Sequence, residues 1–133
     1  MNEKDLVTFE QAKKLKELGF REKCFYGYFE EKLQIPTIDY TLESRNDYEN
    51  PYWVDAPFLH QVQNWLREEK NIHITIDTYF PRWREGYYSI KEVNYECTIV
   101  IMKEDSVSRE KIGNYNTYYE ALNAGINKAL ELL

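Results

Sequence analysis

The chain has 133 residues, of which 43% are hydrophobic and 16% aromatic, so it is long enough for one domain with a buried core and too aromatic for a disordered chain. Its net charge of −6 disfavours binding to nucleic acid and to anionic lipid, because both need clustered Lys and Arg. Met1–Asp5 is charged, and no run approaches the ~20 apolar residues of a membrane span, so we expect a cytoplasmic protein without a signal peptide.

The first predicted element is a helix over Phe9–Leu18. Thr8 and Gln11 have the spacing of a capping box, in which each side chain accepts a hydrogen bond from the other residue's backbone N–H. Gly19 follows the last apolar position of the helix and is suited to the left-handed conformation that ends many helices.

Two strands are predicted next, with a polar turn between them. Lys23–Phe29 alternates in the manner of a strand, and a second strand covers Gln34–Leu42. Pro36 lies inside this second strand and favours an edge position, because proline has no N–H to donate to a neighbour. Glu43–Trp53 is then a polar, turn-rich stretch whose aromatic residues can either fold back on the core or face a partner.

A second helix is predicted to start after Asp55 as its N-cap and to stop at Asn71. A strand then begins at Ile72, with alternating isoleucines on one face. The apolar face of the helix consists of Leu59, Val62, Trp65 and Leu66.

The last part of the chain is predicted as a turn, two strands, a loop and a helix. Pro81–Gly86 forms the turn, Tyr87–Ile90 a short strand, and Tyr95–Lys103 the most apolar strand, which suits the middle of a sheet. Glu104–Asn116 is a polar loop, and Thr117 caps a one-sided amphipathic helix that runs to the end.

This order of elements predicts a single α+β domain over residues 1–133. We expect a two-layer sandwich in which an antiparallel sheet is covered by about three helices on one face.

No catalytic, cofactor or metal site is predicted from the residue pattern. His60 and His73 lie on different elements, and neither has a cysteine or carboxylate at zinc-ligand spacing. Cys24 and Cys97 each lie in an apolar run typical of a buried thiol, although a disulfide between them stays open. The chain also lacks the glycine clusters of nucleotide-binding loops.

Aromatic and arginine residues in predicted loops are the candidates for partner binding, because Tyr, Trp and Arg are enriched in interface hot spots. The alternative is that these rings cover sheet edges and the rim of the core. The candidates are Tyr48, Tyr52, Trp53, Arg82, Trp83 and Arg84.

Double-stranded RNA-binding domains have the same order of elements as Asp55–Leu133, namely helix, three strands, helix. The last helix of those domains begins with lysines, whereas this one begins Thr117-Tyr118-Tyr119-Glu120. Order alone does not establish RNA binding.

Three segments, Val7–Phe20, Ala56–Glu68 and Tyr118–Leu133, resemble a group of small uncharacterised proteins of gut Bacteroidetes that are often associated with phage or other mobile elements. The likeness covers about a third of the chain and extends weakly into the strand at Ile72. It implies a cytoplasmic setting and a phage or mobile-element origin, and it carries no catalytic residue.

The sequence therefore predicts a non-enzymatic accessory protein that binds another protein. One alternative is an acidic inhibitor that mimics nucleic acid, which would need carboxylates clustered on one surface. Further alternatives are an RNA-binding module and an enzyme acting on a small molecule. The enzyme would need a deep pocket with converging polar groups.

Overall fold

The computed structural model describes residues 3–35, 52–79, 83–84, 87–88 and 93–133. These ranges hold three α-helices, eight strands paired antiparallel and a short 3-10 helix, so the predicted α+β class is confirmed. The helices are α1 (Phe9–Glu17), α2 (Leu59–Lys70) and α3 (Tyr118–Leu132). The strands are β1 (Gly27–Phe29), β2 (Lys32–Gln34), β3 (Trp53–Asp55), β4 (Ile72–Tyr79), β5 (Trp83–Arg84), β6 (Tyr87–Tyr88), β7 (Asn94–Met102) and β8 (Val107–Tyr115).

The chain divides into two compact units, one formed by Met1–Val62 with Leu133 and the other by Gln63–Leu132. Among the described residues, the first unit holds a sheet in the order β2-β1-β3, and the second holds a sheet in the order β4-β7-β8 and the ribbon β5-β6. We expected one sheet, but the described strands form separate sheets, and β3, which the sequence did not predict, pairs with β1 in the first of them. The assignment of the chain to a single domain stays a prediction.

Helix α1 has both ends that the sequence predicts. The Thr8 hydroxyl accepts a hydrogen bond from the Gln11 N–H at 3.2 Å, and the Gln11 side-chain oxygen accepts one from the Thr8 N–H at 2.8 Å. At the other end Gly19 has φ +91°, and the Phe20 N–H donates to the Leu15 carbonyl at 2.9 Å. This is a Schellman motif, and it directs the buried Phe20 side chain into the core.

The first sheet packs Val54 toward the core on one face, and its other face is buried at Gly27 and Asp55 but exposed at Phe29. Tyr28 and Val54 lie opposite each other on the core-facing side, Val54 is buried, and the Tyr28 hydroxyl donates to the Val7 carbonyl at 2.8 Å. Strand β1 begins four residues later than predicted, at Gly27, and β2 ends at Gln34. The rest of the predicted second strand, residues 36–42, lies outside the described residues.

The β1–β2 turn consists of Glu30 and Glu31, and both have positive φ, +49° and +69°. A two-residue hairpin turn with positive φ at both positions is type I′, which favours Asn-Gly because other side chains are strained there. We therefore expect Glu30→Asn with Glu31→Gly to raise the free energy of unfolding by about 1 kcal/mol in urea denaturation. Glu30→Gln with Glu31→Gln removes the same charges without relieving the backbone, and an equal gain in that variant would contradict this explanation.

Helix α2 starts later than predicted. Asp55 was expected to cap it and is instead the last residue of β3, where its carboxylate accepts a hydrogen bond from the Trp53 indole N–H at 2.9 Å. The first turn of the helix is closed by Gln61, whose side-chain oxygen accepts from the Phe58 N–H at 3.0 Å. The predicted apolar face is buried, and Asn71 ends the helix with φ +54°.

The second sheet has β7 in its centre, as predicted. The expected polar loop over Glu104–Asn116 is wrong, because most of it is the edge strand β8. Backbone hydrogen bonds to β7 form this strand, and its largely exposed polar side chains show no apolar alternation by which to recognise it. The turn before it is closed by Lys103 and Ser106, whose backbones exchange hydrogen bonds of 2.9 and 3.4 Å.

The predicted turn over Pro81–Gly86 contains a strand. Trp83–Arg84 pairs with Tyr87–Tyr88 in the ribbon β5-β6, so the predicted strand over Tyr87–Ile90 is described only at its first two residues. A two-residue connection between short strands looks like a turn in sequence, because neither strand is long enough to show alternation.

Helix α3 packs against all three strands of the second sheet. The Thr117 hydroxyl accepts a hydrogen bond from the Glu120 N–H at 3.1 Å, as the predicted cap requires. Tyr118 and Leu133 were expected on the buried face and are exposed, because they lie at the two ends of the helix. Its buried residues are Ala121, Leu122, Gly125, Ile126, Ala129 and Leu130.

Candidate protein-binding surface

Two of the six predicted partner-binding residues have described side chains. Both belong to the first unit: Tyr52 directly precedes β3, and Trp53 is the first residue of β3. Tyr48 and Arg82 lie outside the described residues, and only the backbone of Trp83 and Arg84 is described. The structure therefore locates one part of the predicted surface and does not test the other.

Trp53 is half-buried and held from three directions. Its indole ring lies against Gly27 on the neighbouring strand, and its indole N–H donates to the Asp55 carboxylate. The Lys16 ammonium donates to the Trp53 carbonyl at 2.8 Å. Trp53 therefore anchors the outer face of the first sheet, the face opposite to that of the buried Val54.

Phe29 lies directly opposite Trp53 in the β1–β3 register, so both side chains are on this outer face. The Phe29 and Tyr52 rings meet edge to face, with centroids 6.3 Å apart, and remain 40% and 60% exposed. We call Phe29, Tyr52 and Trp53 the aromatic patch. Sequence reasoning missed Phe29 as a binding candidate because it belongs to a predicted strand, where a large ring is ordinarily part of the core.

Two exposed carboxylates border the aromatic patch. Glu30 and Glu31 form the turn directly after Phe29, and the Glu30 N–H donates to the Tyr52 carbonyl at 3.1 Å. Neither glutamate forms an ion pair with a described residue, although Lys32 is next in the chain. The patch is therefore aromatic in its centre and bordered by two glutamates at the turn, while the exposed Lys32 lies opposite Phe29 on the same face.

A second aromatic surface lies in the second unit, at the start of α3. The rings of Tyr95 and Tyr118 are 6.2 Å apart, as are those of Tyr118 and Tyr119, and both pairs are nearly perpendicular. Tyr118 and Tyr119 are exposed, and Tyr95 is half-buried. We call these three residues the tyrosine cluster. The sequence concealed it because Tyr118 was assigned to the buried face of the helix.

Cys24 is the described cysteine of the first unit, and its surroundings disfavour the thiolate. Burial, and then the Asp55 and Glu22 carboxylates, raise the pKa of the Cys24 thiol far above its usual range. A protonated buried thiol is unreactive, since the thiolate is the nucleophile. His60 is stacked on Phe58 with ring centroids 5.4 Å apart. No group of three or more metal-ligating side chains occurs among the described residues.

Cys97 is a free, buried thiol under α3, and burial raises its pKa from 9.0 to about 11. The folded state therefore favours the protonated thiol, and its stabilising contribution is complete below pH 9 and is lost as the pH rises through 11. We expect the free energy of unfolding to fall over this range by up to about 1.4 kcal/mol per pH unit from this group. Urea denaturation of the protein and of Cys97→Ala should show a steeper fall in the protein; parallel curves would contradict the assignment.

The charges of the described residues are mixed in sign. Lys13 pairs with Glu10 at 3.4 Å, and Lys111 pairs with Glu96 at 3.7 Å. In the second unit Lys128 pairs with Glu110 at 3.8 Å. Interspersed pairs of this kind are unlike the single-sign array that a nucleic-acid mimic needs.

The order that suggested RNA binding is helix, three strands, helix, whereas the described residues place five strands between α2 and α3. Helix α3 packs on three of them, β4, β7 and β8. The first turn of α3 carries an acidic residue, Glu120, where a phosphate-binding helix would carry lysine. No described helix is long and apolar enough to cross a membrane. The chain matches no protein-family model, and no curated protein or solved structure is significantly similar to it.

Proposed function

We propose that the protein is a non-enzymatic accessory protein that binds another protein through the aromatic patch. The observation that carries this proposal is the exposed edge-to-face pair of Phe29 and Tyr52 on a sheet face anchored by Trp53. We also propose that it belongs to a phage or another mobile element, because three helical segments resemble proteins associated with such elements.

Energetics supports a binding role for this pair. Phe29 and Tyr52 are 40% and 60% exposed, and each Å² of their apolar surface that stays in water forgoes about 25 cal/mol that burial would supply. An interface that covers them recovers this free energy, and aromatic residues are accordingly enriched in the energetic centres of interfaces. The β1–β3 pairing fixes the backbone of Phe29, so its backbone loses little conformational entropy when a partner binds.

Affinity purification from source cells tests the proposal. We expect the tagged full-length protein to recover a reproducible protein partner, and the variant Phe29→Ala with Tyr52→Ala to lose it. Tyr119→Ala is the matched control, because it removes an equally exposed ring from the second unit. It should recover the partner as well as the unmodified protein does.

Two results would contradict the proposal. One is a partner that binds equally well after both rings of the pair are removed. The other is loss of the partner with Tyr119→Ala alone, which would assign binding to the tyrosine cluster. Thermal unfolding of each variant shows whether a loss reflects binding or folding.

A further inference from the structure

The carboxylates of Glu30 and Glu31 indicate the chemistry of the partner. Both side chains are exposed beside the Phe29 ring, and the Glu30 backbone is hydrogen-bonded to Tyr52, so the turn and the aromatic pair form one continuous surface. Neither carboxylate is neutralised by an ion pair with a described residue. A ligand that covers the rings would also lie next to these two negative charges, and next to the exposed Lys32 that pairs with Phe29 across the hairpin.

The turn does not need these carboxylates for its own geometry. At positive φ in both positions, Asn-Gly would fit the backbone with less strain than Glu-Glu. The two charges are therefore unexplained by folding, although folding alone would not make them a binding site. Their position beside exposed rings is what connects them to a ligand.

Arginine is the side chain that satisfies both parts of this surface. Its planar guanidinium stacks on an aromatic face and donates hydrogen bonds to carboxylates from the same group. A lysine ammonium is more strongly hydrated and cannot stack in this way. The net charge of −6 also steers a basic partner toward this protein.

We propose that the aromatic patch and the Glu30–Glu31 turn bind an arginine-bearing segment of the partner protein. This inference rests on the proposed function and specifies the chemistry of the same surface. One guanidinium stacks on Phe29 or Tyr52, the turn carboxylates accept its hydrogen bonds, and neighbouring apolar groups of the segment cover the remaining ring surface.

The experiment uses isotope-labelled full-length protein and follows backbone amide shifts by NMR during titration with a short peptide of alternating arginine and leucine. Peptides with lysine or glutamate in place of arginine are titrated in parallel. We expect the arginine peptide to shift residues 28–32, 52 and 53 and to bind more tightly than the lysine peptide. The glutamate peptide should cause no shifts there.

Charge variants test the role of the turn. Glu30→Gln with Glu31→Gln should weaken arginine-peptide binding about tenfold, as expected for two exposed charge contacts beside an aromatic ring. The matched control is Glu104→Gln with Asp105→Asn, which removes the same net charge from an exposed turn of the second unit and should leave affinity within about twofold. Added salt should weaken binding to the unmodified protein more than to the Gln variant.

Glu30→Asn with Glu31→Gly keeps the experiment interpretable if the Gln variant unfolds, because this turn suits Asn-Gly. It should bind the arginine peptide as weakly as the Gln variant. Three results would each overturn the inference. The Gln variant could bind as tightly as the unmodified protein, the control pair could weaken binding equally, or the shifts could be confined to the second unit.

The inference can fail while the proposed function stands. If Phe29→Ala with Tyr52→Ala abolishes recovery of the cellular partner but Glu30→Gln with Glu31→Gln does not, the patch binds protein without using arginine. If neither pair of substitutions affects recovery, both proposals fail.

Discussion

Gly125→Val is expected to lower the free energy of unfolding by about 3 kcal/mol, because α3 lies against β4 and β7 at this residue with no room for a side chain. A Cβ at Gly125 would lie 2.7 Å from Ile74 Cγ2 and 2.8 Å from Cys97 Sγ. Both contacted residues are buried, so neither can move aside into solvent. The helix must shift from the sheet or the sheet must deform, and overpacking of this kind typically costs 1–3 kcal/mol or more.

Urea denaturation measures this effect, and Ala124→Val is the matched control. Residue 124 is half-buried on the same helix, so the control introduces the same β-branched residue away from the tightest contact. We expect the control to cost less than about 1 kcal/mol. Helix propensity alone would make Gly125→Val slightly stabilising and Ala124→Val slightly destabilising. A loss in Gly125→Val no larger than that in the control would therefore contradict the assigned contact with the sheet.

Gly27→Val is expected to lower the free energy of unfolding by about 2–3 kcal/mol and to disturb the aromatic patch. A side chain at Gly27 would overlap the Trp53 indole ring, which must then leave the outer face of β1. Its hydrogen bond to the Asp55 carboxylate would be lost, and Asp55 as a residue is only 2% exposed. Removing a donor from a buried carboxylate is costly because water cannot replace it.

A double-mutant cycle measures this coupling. In a Trp53→Val background the added Gly27→Val substitution should cost less than about 1 kcal/mol, because the ring that it displaces is already absent. A full cost in that background would mean that β1 itself, and not the Trp53 ring, requires glycine. Partner binding should also fall in Gly27→Val, since Trp53 anchors the face that carries Phe29.

The helices were predicted well because the signals for them lie within a few residues. The starts of α1 and α3 are set by hydrogen bonds between near neighbours, Thr8 with Gln11 and Thr117 with Glu120. The end of α1 is set by the backbone conformation of Gly19. Asp55 misled the prediction for the same reason. An aspartate before an apolar helical pattern is typical of a cap, and only the proximity of the Trp53 indole shows that it accepts a different hydrogen bond.

The candidate surface was only half predictable. Tyr52 and Trp53 were recognisable as aromatic residues near a turn-rich stretch, but their sequence does not show that Trp53 is anchored and Tyr52 exposed. Phe29 and the two glutamates lie more than twenty residues away in the chain. They join the surface through the register Phe29 to Trp53, which no local pattern specifies.

By itself the sequence determined the α+β class, the ends of α1 and α3, the apolar face of α2 and the central place of β7, because caps and hydrophobic periodicity are properties of single segments. Tertiary structure decided the division into two sheets, the strand character of β3 and β8, and the joining of Phe29, Tyr52 and the acidic turn. A strand satisfies its backbone hydrogen bonds on another segment, so its existence and its neighbours depend on residues that are distant in the chain.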